Sequence, residues 1–429
     1  MFRIARVLFV ALTVLALASL VVAQDYLEPL PADQNVTISF YSYNLGSAGI
    51  GADGTRQLIS EFQALHPNIT VDGIGIPATE IVSRTQADLA AGTPPDVAQL
   101  IFNDLDFIVN NFNAKPLETI VPPEEWAAHI ETFHPRGLPL GQINDQTYGM
   151  AFTFSTPVLY INTTILEEAG IDPSTVPTTW DEAEALALQV VENTDKQGIS
   201  IFSPSWIAQA LVMSNGGRML SEDRATLMFG EAEGQGAMAR LQAMVTSGAH
   251  IPGGVDTIQA FLGGQLAMML NTTAVLRFAQ DTFAQTGQVL NMGKMPSYGD
   301  LPTVPVNSGS ALFILSNDPV KQRAAWDFIK FVTGDRGYTI ITSQIGYLPL
   351  RPNIVNDPEF LGPWIEANPL YLPNLEQLES LTPWVSFPGP NYRQIEQIIT
   401  EAQTAVIFNN ADPATLMDAQ IRAQALMPQ

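Results

Sequence analysis

The chain has 429 residues, 19 basic against 43 acidic, for a formal net charge of −24, and it contains no cysteine. That charge disfavours nucleic acid and anionic membrane surfaces as partners, and the missing thiols exclude disulfides, thiolate metal sites, a cysteine nucleophile and a lipid-modified N-terminal cysteine. With 46% hydrophobic and only 14% charged residues there is apolar material for large cores, and the length suggests two or three domains.

The first element is a leader. Arg3 and Arg6 precede an apolar run from Val7 to Ala23, with small residues where a signal peptidase cuts. Residues 1–23 therefore read as a signal peptide, cleaved after Ala23 and releasing the product into a periplasm; an uncleaved membrane anchor is the alternative. Cleavage moves the net charge to −26, because the leader carries two arginines and no acid.

Strands and helices then alternate. "VTISFYSY" predicts a strand, "GTRQLISEFQALHP" an amphipathic helix, "ITVDGIGI" a strand, "EIVSRTQADLAAG" a helix and "PDVAQLIF" a third strand. Such alternation implies βαβ units and a parallel sheet, with ligands bound beyond the carboxyl ends of its strands, here Tyr41 to Asn44 and Phe102 to Asp104. Between the first strand and helix lies "GIGADG", a G-x-G-x-x-G run from Gly49 to Gly54. A dinucleotide turn places its first glycine at once after the strand, whereas Ser42 to Ala48 intervene here. Asp72, at a ribose-contact distance in sequence, falls on the solvent face of an alternating strand, so the nucleotide reading is rejected.

From Ala114 to Thr147 the chain is rich in proline and polar residues, with short helices such as "PPEEWAAHIETF". A strand then turns at Ser155-Thr156-Pro157 into a second strand, "VLYIN". The helix "TILEEAG" follows, and then a helix capped by Thr178 or Thr179 before "WDEAEALALQVV". The middle is mainly helical, broken at "SNGGRML" and "IPGGVDT"; "GQLAMMLN" is a buried strand, "VNSGSALFILS" another, and "DPVKQRAAWDFIKFVTG" an amphipathic helix. "GYLPLRPNI" reads as a proline-containing crossing, and the remainder is helical.

The order of "GTPPDVAQL", "AFTFSTPVLYINTTILEEAGIDPSTVPTTWDEA", "SNGGRML", "FLGGQLAMMLNTT", "GSALFILSNDPVKQRAAWDFIKFVTG" and "IGYLPLRPNI" resembles the extracellular solute-binding proteins of ATP-driven importers, in the branch for sugars and glycerol phosphate. The resemblance covers nearly all of the mature chain and implies a two-lobed α/β fold of the type II periplasmic binding protein class. The implied first lobe holds residues 24–153 and 308–347, the second 154–307 and 348–429, with crossings near Met150 to Pro157, Thr303 to Asn307 and Tyr347 to Arg351. The implied partners are a small solute, carbohydrate favoured, and the transmembrane subunits of an importer permease. The chain is expected to be monomeric, to lack a cofactor and a metal, and not to be an enzyme.

Carried over position by position, the resemblance marks Tyr41 and Tyr43 after the first strand, Asn103 after the third, Ser155 at the crossing, and Trp206 before "NGG". It also marks Thr272 in a hydroxyl pair with Thr273, Gly309 as a backbone contact, and Tyr347 of "GYLP". Arg56 and Arg351 are the basic residues placed near the cleft, Arg351 also suiting a carboxylate partner across the hinge. The tyrosine and acid of the glycerol phosphate members are missing at Ala78 and Phe102, and "VSFPGPNY" lacks their arginine, which puts glycerol phosphate in doubt. Aromatic side chains and neutral hydrogen-bonding groups suit a sugar, whose C–H face stacks while its hydroxyls seek partners.

Trp126, Trp180 and Trp326 sit at helical spacing among apolar residues and read as core, while Trp384, Phe387 and Tyr392 in "TPWVSFPGPNY" read as core or cleft rim. His66, His129, His134 and His250 make no metal spacing, and Asp104-x-Asp106 reads as solvated surface rather than a cation site. A phosphodiester on the same scaffold and a secreted glycoside hydrolase, whose paired carboxylates leave no local signature, remain open alternatives.

Overall fold

The computed structural model describes residues 26–46, 51–201, 205–252 and 256–428, so the leader at 1–23 lies outside the described residues. Its strands are β1 (Val36–Ser42), β2 (Ile69–Gly75), β3 (Val97–Ile101), β4 (Gln142–Ile143), β5 (Gln146–Thr147), β6 (Gly149–Ser155), β7 (Pro157–Asn162), β8 (Gln197–Ile201), β9 (Leu266–Thr272), β10 (Leu290–Lys294) and β11 (Ser308–Ile314). They form a five-stranded sheet in the order β2-β1-β3-β11-β6, a four-stranded sheet in the order β10-β7-β9-β8, and the β4-β5 hairpin.

In the first sheet β1 runs parallel to β2 and β3, as the alternation of strand and helix demands, and β11 returns antiparallel between β3 and β6. The helix Ala52–Leu65 turns Thr55, Leu58 and Phe62 inward at helical spacing. Phe40, Phe62 and Phe328 meet edge to face at centroid distances of 5.2 Å, so the helix Pro319–Val332 closes the same core. Trp326 is fully buried beside half-buried Trp126, the packing expected of both.

Only Thr156 separates β6 from β7, and it carries the chain from the first sheet to the second. Alternation along β7 divides its side chains: Val158 and Tyr160 join the core that continues from the first sheet, Leu159 and Ile161 a second core. The second core also takes Trp180, which opens a helix capped by a complete capping box of Thr179 and Glu182. The C-terminal helices Tyr392–Asn409 and Thr415–Gln424 seal it with Ile395, Ile399, Val406 and Leu416.

The stretch Tyr347 to Arg351, expected as a crossing, is hydrogen-bonded to β6 and to the segment before the β4-β5 hairpin. Leu348 N donates to Phe154 O (3.1 Å), and Leu350 O accepts from His134 N (2.8 Å). The other two expected crossings are met later in the chain: Asn374 Oδ1 accepts from Thr156 Oγ1 (2.6 Å), and Thr382 pairs with Pro305 and Asn307 through the backbone. Two prolines gave "GYLPLRPNI" the look of a linker, but its leucines are fully buried.

Candidate functional site

The carboxyl ends of β1 and β3, the β6 to β7 crossing and the amino end of β11 converge between the lobes. Just past β1, half-buried Tyr43 shares a hydrogen bond with Thr153 Oγ1 (3.2 Å). Behind it lies a buried polar relay: Thr153 Oγ1 and Ser310 Oγ are 2.8 Å apart, Gln99 Nε2 donates to both, and Ser42 Oγ donates to Gln99 Oε1 (2.6 Å). Each inner hydroxyl is thus satisfied, which holds the Tyr43 ring in place. Burial, and then the neighbouring Tyr43, push the Tyr347 hydroxyl well above the ordinary phenol range. Both tyrosines therefore stay neutral hydrogen-bonding groups.

Two residues along the same strands, Ser155 Oγ pairs with Thr272 Oγ1 (2.7 Å) and with Ser308 Oγ (3.3 Å). Gly309 lies opposite Phe154 with φ +112°, and an added Cβ would stand 2.0 Å from Thr153 O. Only glycine fits this register.

Asn103, just past β3, donates from Nδ2 to both oxygens of Glu396 (3.3 Å), while its buried Oδ1 has no protein partner. Glu396 also accepts from Ser205 Oγ (3.4 Å), which in turn accepts from Trp384 Nε1 (3.2 Å). The Trp384 ring is half-buried and touches both cores. Burial lifts the Glu396 carboxyl to about 7, helped by nearby Asp104 and opposed by Asn103, Ser205 and Arg393.

The lobes also touch at both rims. Asp104 accepts from the Tyr392 hydroxyl and from Arg393 Nη2 (3.3 Å), and Asp106 from Arg224 Nη2 (3.1 Å). At the opposite rim Arg277 Nη1 donates to Gln344 O (3.2 Å) and Ser343 O (3.5 Å).

The sequence pattern of the family described as bacterial extracellular solute-binding protein matches residues 57–373. The chain belongs to that family. A protein of Brucella abortus (strain 2308), named only as a candidate binding protein, is 24% identical over 98% of this chain and 97% of its own. Among solved structures, the cyclic alpha-maltosyl-1,6-maltose binding protein from Arthrobacter globiformis is 19% identical with a TM-score of 0.79, over 91% of this chain and 99% of that one. UgpB from Mycobacterium tuberculosis, in complex with glycerophosphocholine, is 21% identical with a TM-score of 0.78, over 91% of this chain and 98% of that one. At these identities the structures carry the two-lobed α/β fold rather than a ligand.

As a solute-binding protein of the ATP-driven importer type, the chain is a binder and not an enzyme, which sets aside the hydrolase alternative. The family is extracytoplasmic, and among the described residues no helix is long and apolar enough to cross a membrane.

The structure brings Tyr43, Ser155, Thr272, Gly309 and Tyr347 into one row and joins Asn103 to Glu396. Three expected site residues lie elsewhere. Tyr41 donates from its hydroxyl to Asp88 Oδ2 (2.8 Å), under the outer helix Ile81–Ala90. Trp206 is only 5% exposed and packs in the second core, on a helix buried on almost every face. Arg351 is buried inside the first lobe, donating to Thr333 O (2.8 Å), His129 O (2.8 Å) and Thr132, with Phe133 under its guanidinium. Its nearest carboxylate, Asp335 at 3.6 Å, belongs to the same lobe and not to the far side of a hinge. Asp104 and Asp106 are also buried between the lobes rather than solvated. Ser205, Ser308 and Glu396 carry no signal of their own in the sequence; Asn103, Trp206 beside Ser205 and the proline-rich "TPWVSFPGPNY" are what point to this side of the cleft.

Proposed function

We propose that this protein captures an uncharged sugar or oligosaccharide between its lobes and presents it to an importer permease. The observation that carries this reading is the row of neutral hydroxyls, Tyr43, Tyr347, Ser155, Thr272 and Ser308, flanked by the half-buried Trp384 indole, with no basic side chain in the row. Hydroxyl pairs donate and accept as a sugar's own hydroxyls require, and an indole face stacks on a pyranose ring. A phosphate instead calls for arginine, lysine or a helix N-terminus. Arg351 is spent inside the first lobe, and Arg56 is exposed and paired with Asp53 at 2.7 Å. In this reading the first lobe runs on past Arg351, and the lobes turn about Thr156 and the segments beside it.

A phosphodiester is the second reading, favoured by Arg393, which stands near Glu396 but is engaged by Asp104. Calorimetry on Trp384→Ala, Tyr347→Ala and Arg393→Ala at low and near-physiological salt separates the two. For a neutral sugar the aromatic variants lose about 2 kcal/mol, on the order of thirtyfold in Kd, and salt changes little. A steep salt dependence with Arg393→Ala the worst variant would reverse the assignment.

A further inference from the structure

A cavity of about 260 Å³ opens on the Arg277 rim, lined by Arg277 and Asp281 on one side and by Thr342, Trp364, Asn368 and Tyr371 on the other. It adjoins the candidate site, because Gly346, also in its wall, precedes Tyr347. Thr342 and Tyr371 line it, and their hydroxyls, in residues 0% and 1% exposed, are buried without a hydrogen-bond partner among the described residues. Buried hydroxyls are normally paired, so two orphans in one cavity wall point to an absent donor or acceptor. Trp364 is half-buried, edge to face with Tyr371 at 4.7 Å, leaving indole surface toward the groove.

We propose that this groove is a separate subsite for one further pyranose ring of an oligosaccharide whose first ring occupies the row of hydroxyls. The proposal rests on the carbohydrate reading above. Its volume of about 260 Å³ falls below the roughly 300–1,000 Å³ of sites for drug-sized ligands, which limits the groove to a single ring. Arg277 and Asp281 balance in charge, which suits a neutral guest. Asn368, Thr342 and Tyr371 supply the donors and acceptors that vicinal hydroxyls use, and Trp364 a surface for stacking. Gly346, with φ +96°, leaves space beside the Tyr371 hydroxyl, where an added Cβ would stand 3.3 Å away.

The test is calorimetry of the mature protein against mono- to tetrasaccharides in the α-1,4-gluco, β-1,4-gluco and β-1,4-galacto series. In the series that binds, adding one unit is expected to tighten Kd at least tenfold. Trp364→Ala is expected to erase that gain while leaving the shorter member within twofold of wild type. Tyr371→Phe, which removes one orphan hydroxyl and little packing, should lose part of the gain at an unchanged melting temperature. Trp384→Ala, by contrast, should weaken every member of the series. A gain that survives both groove variants, or binding indifferent to chain length, overturns the second subsite and leaves the carbohydrate reading standing. If no sugar of any length binds, the carbohydrate reading falls and the subsite falls with it.

Discussion

Gly309 shows how narrowly the candidate site is built around backbone. Its φ of +112° and the 2.0 Å approach of Thr153 O leave no room for a side chain. Gly309→Ala is therefore expected to destabilise the protein by about 2–4 kcal/mol through strain and a displaced β6, read as a lowered denaturant midpoint; an unchanged midpoint would refute the close approach. At this scale the sequence was legible where chemistry and position coincide: Ser155 and Thr272 sit at a strand-to-strand crossing and a strand end, and their hydroxyls do meet. It was misleading where position depends on which face of an element looks inward. Tyr41 and Tyr43 share a face by strand period, yet β1 ends at Ser42 and a helical turn begins at Tyr43, so the two rings part. Arg351 beside two prolines resembled a hinge cation, and nothing local reveals that three oxygens of its own lobe await it.

The helix Tyr392–Asn409 carries a titrating group into the interface. Glu396 ionises near 7 here rather than at 4.5, chiefly through burial. The folded, closed protein thus holds a proton between those values that the unfolded chain releases, so this contribution is fully present below pH 4.5 and is lost as pH rises through 7. Its size is on the order of 1–3 kcal/mol. Wild type minus Glu396→Gln, compared by urea denaturation at pH 5 and pH 8, should show that loss; parallel behaviour of the two proteins would sink it. Among elements, the first βαβαβ run and the Thr179-capped helix were readable from period and caps. The Asn103–Glu396 contact spans 293 residues of sequence, and a glutamate within a long helix gives no sign of what lies across from it.

Each lobe has its own response to acid. In the first, burial, then Arg351 and Lys330, hold the His129 imidazole down to about 3. Burial alone would raise Glu125, but Arg323 and Lys330 hold it down to about 2. Both groups have depressed values, so their contribution is present above pH 6.5 for the histidine and 4.5 for the glutamate, and it drains away as pH falls toward those lower values. The sum is several kcal/mol, and both residues belong to the first lobe. Scanning calorimetry at pH 7 and pH 4 is therefore expected to show one cooperative transition splitting into two, the first lobe melting earlier; a single transition at both pH values would contradict it.

At the scale of the whole molecule, one amide ties the strand crossing at Thr156 to the segment just past β10. Gln377 donates to Thr156 Oγ1 and Pro157 O and accepts from Met295 N, each at 2.9 Å. In the capture motion proposed above, atoms near the pivot travel least, so this knot stays tied while the Arg277 and Asp104 contacts, at the ends of the lever arms, break. Under that proposal the dwell time of a captured solute is set at the circumference of the cleft and not at its pivot: changes at the rims would alter how long the protein stays shut, and changes at Gln377 how truly it turns.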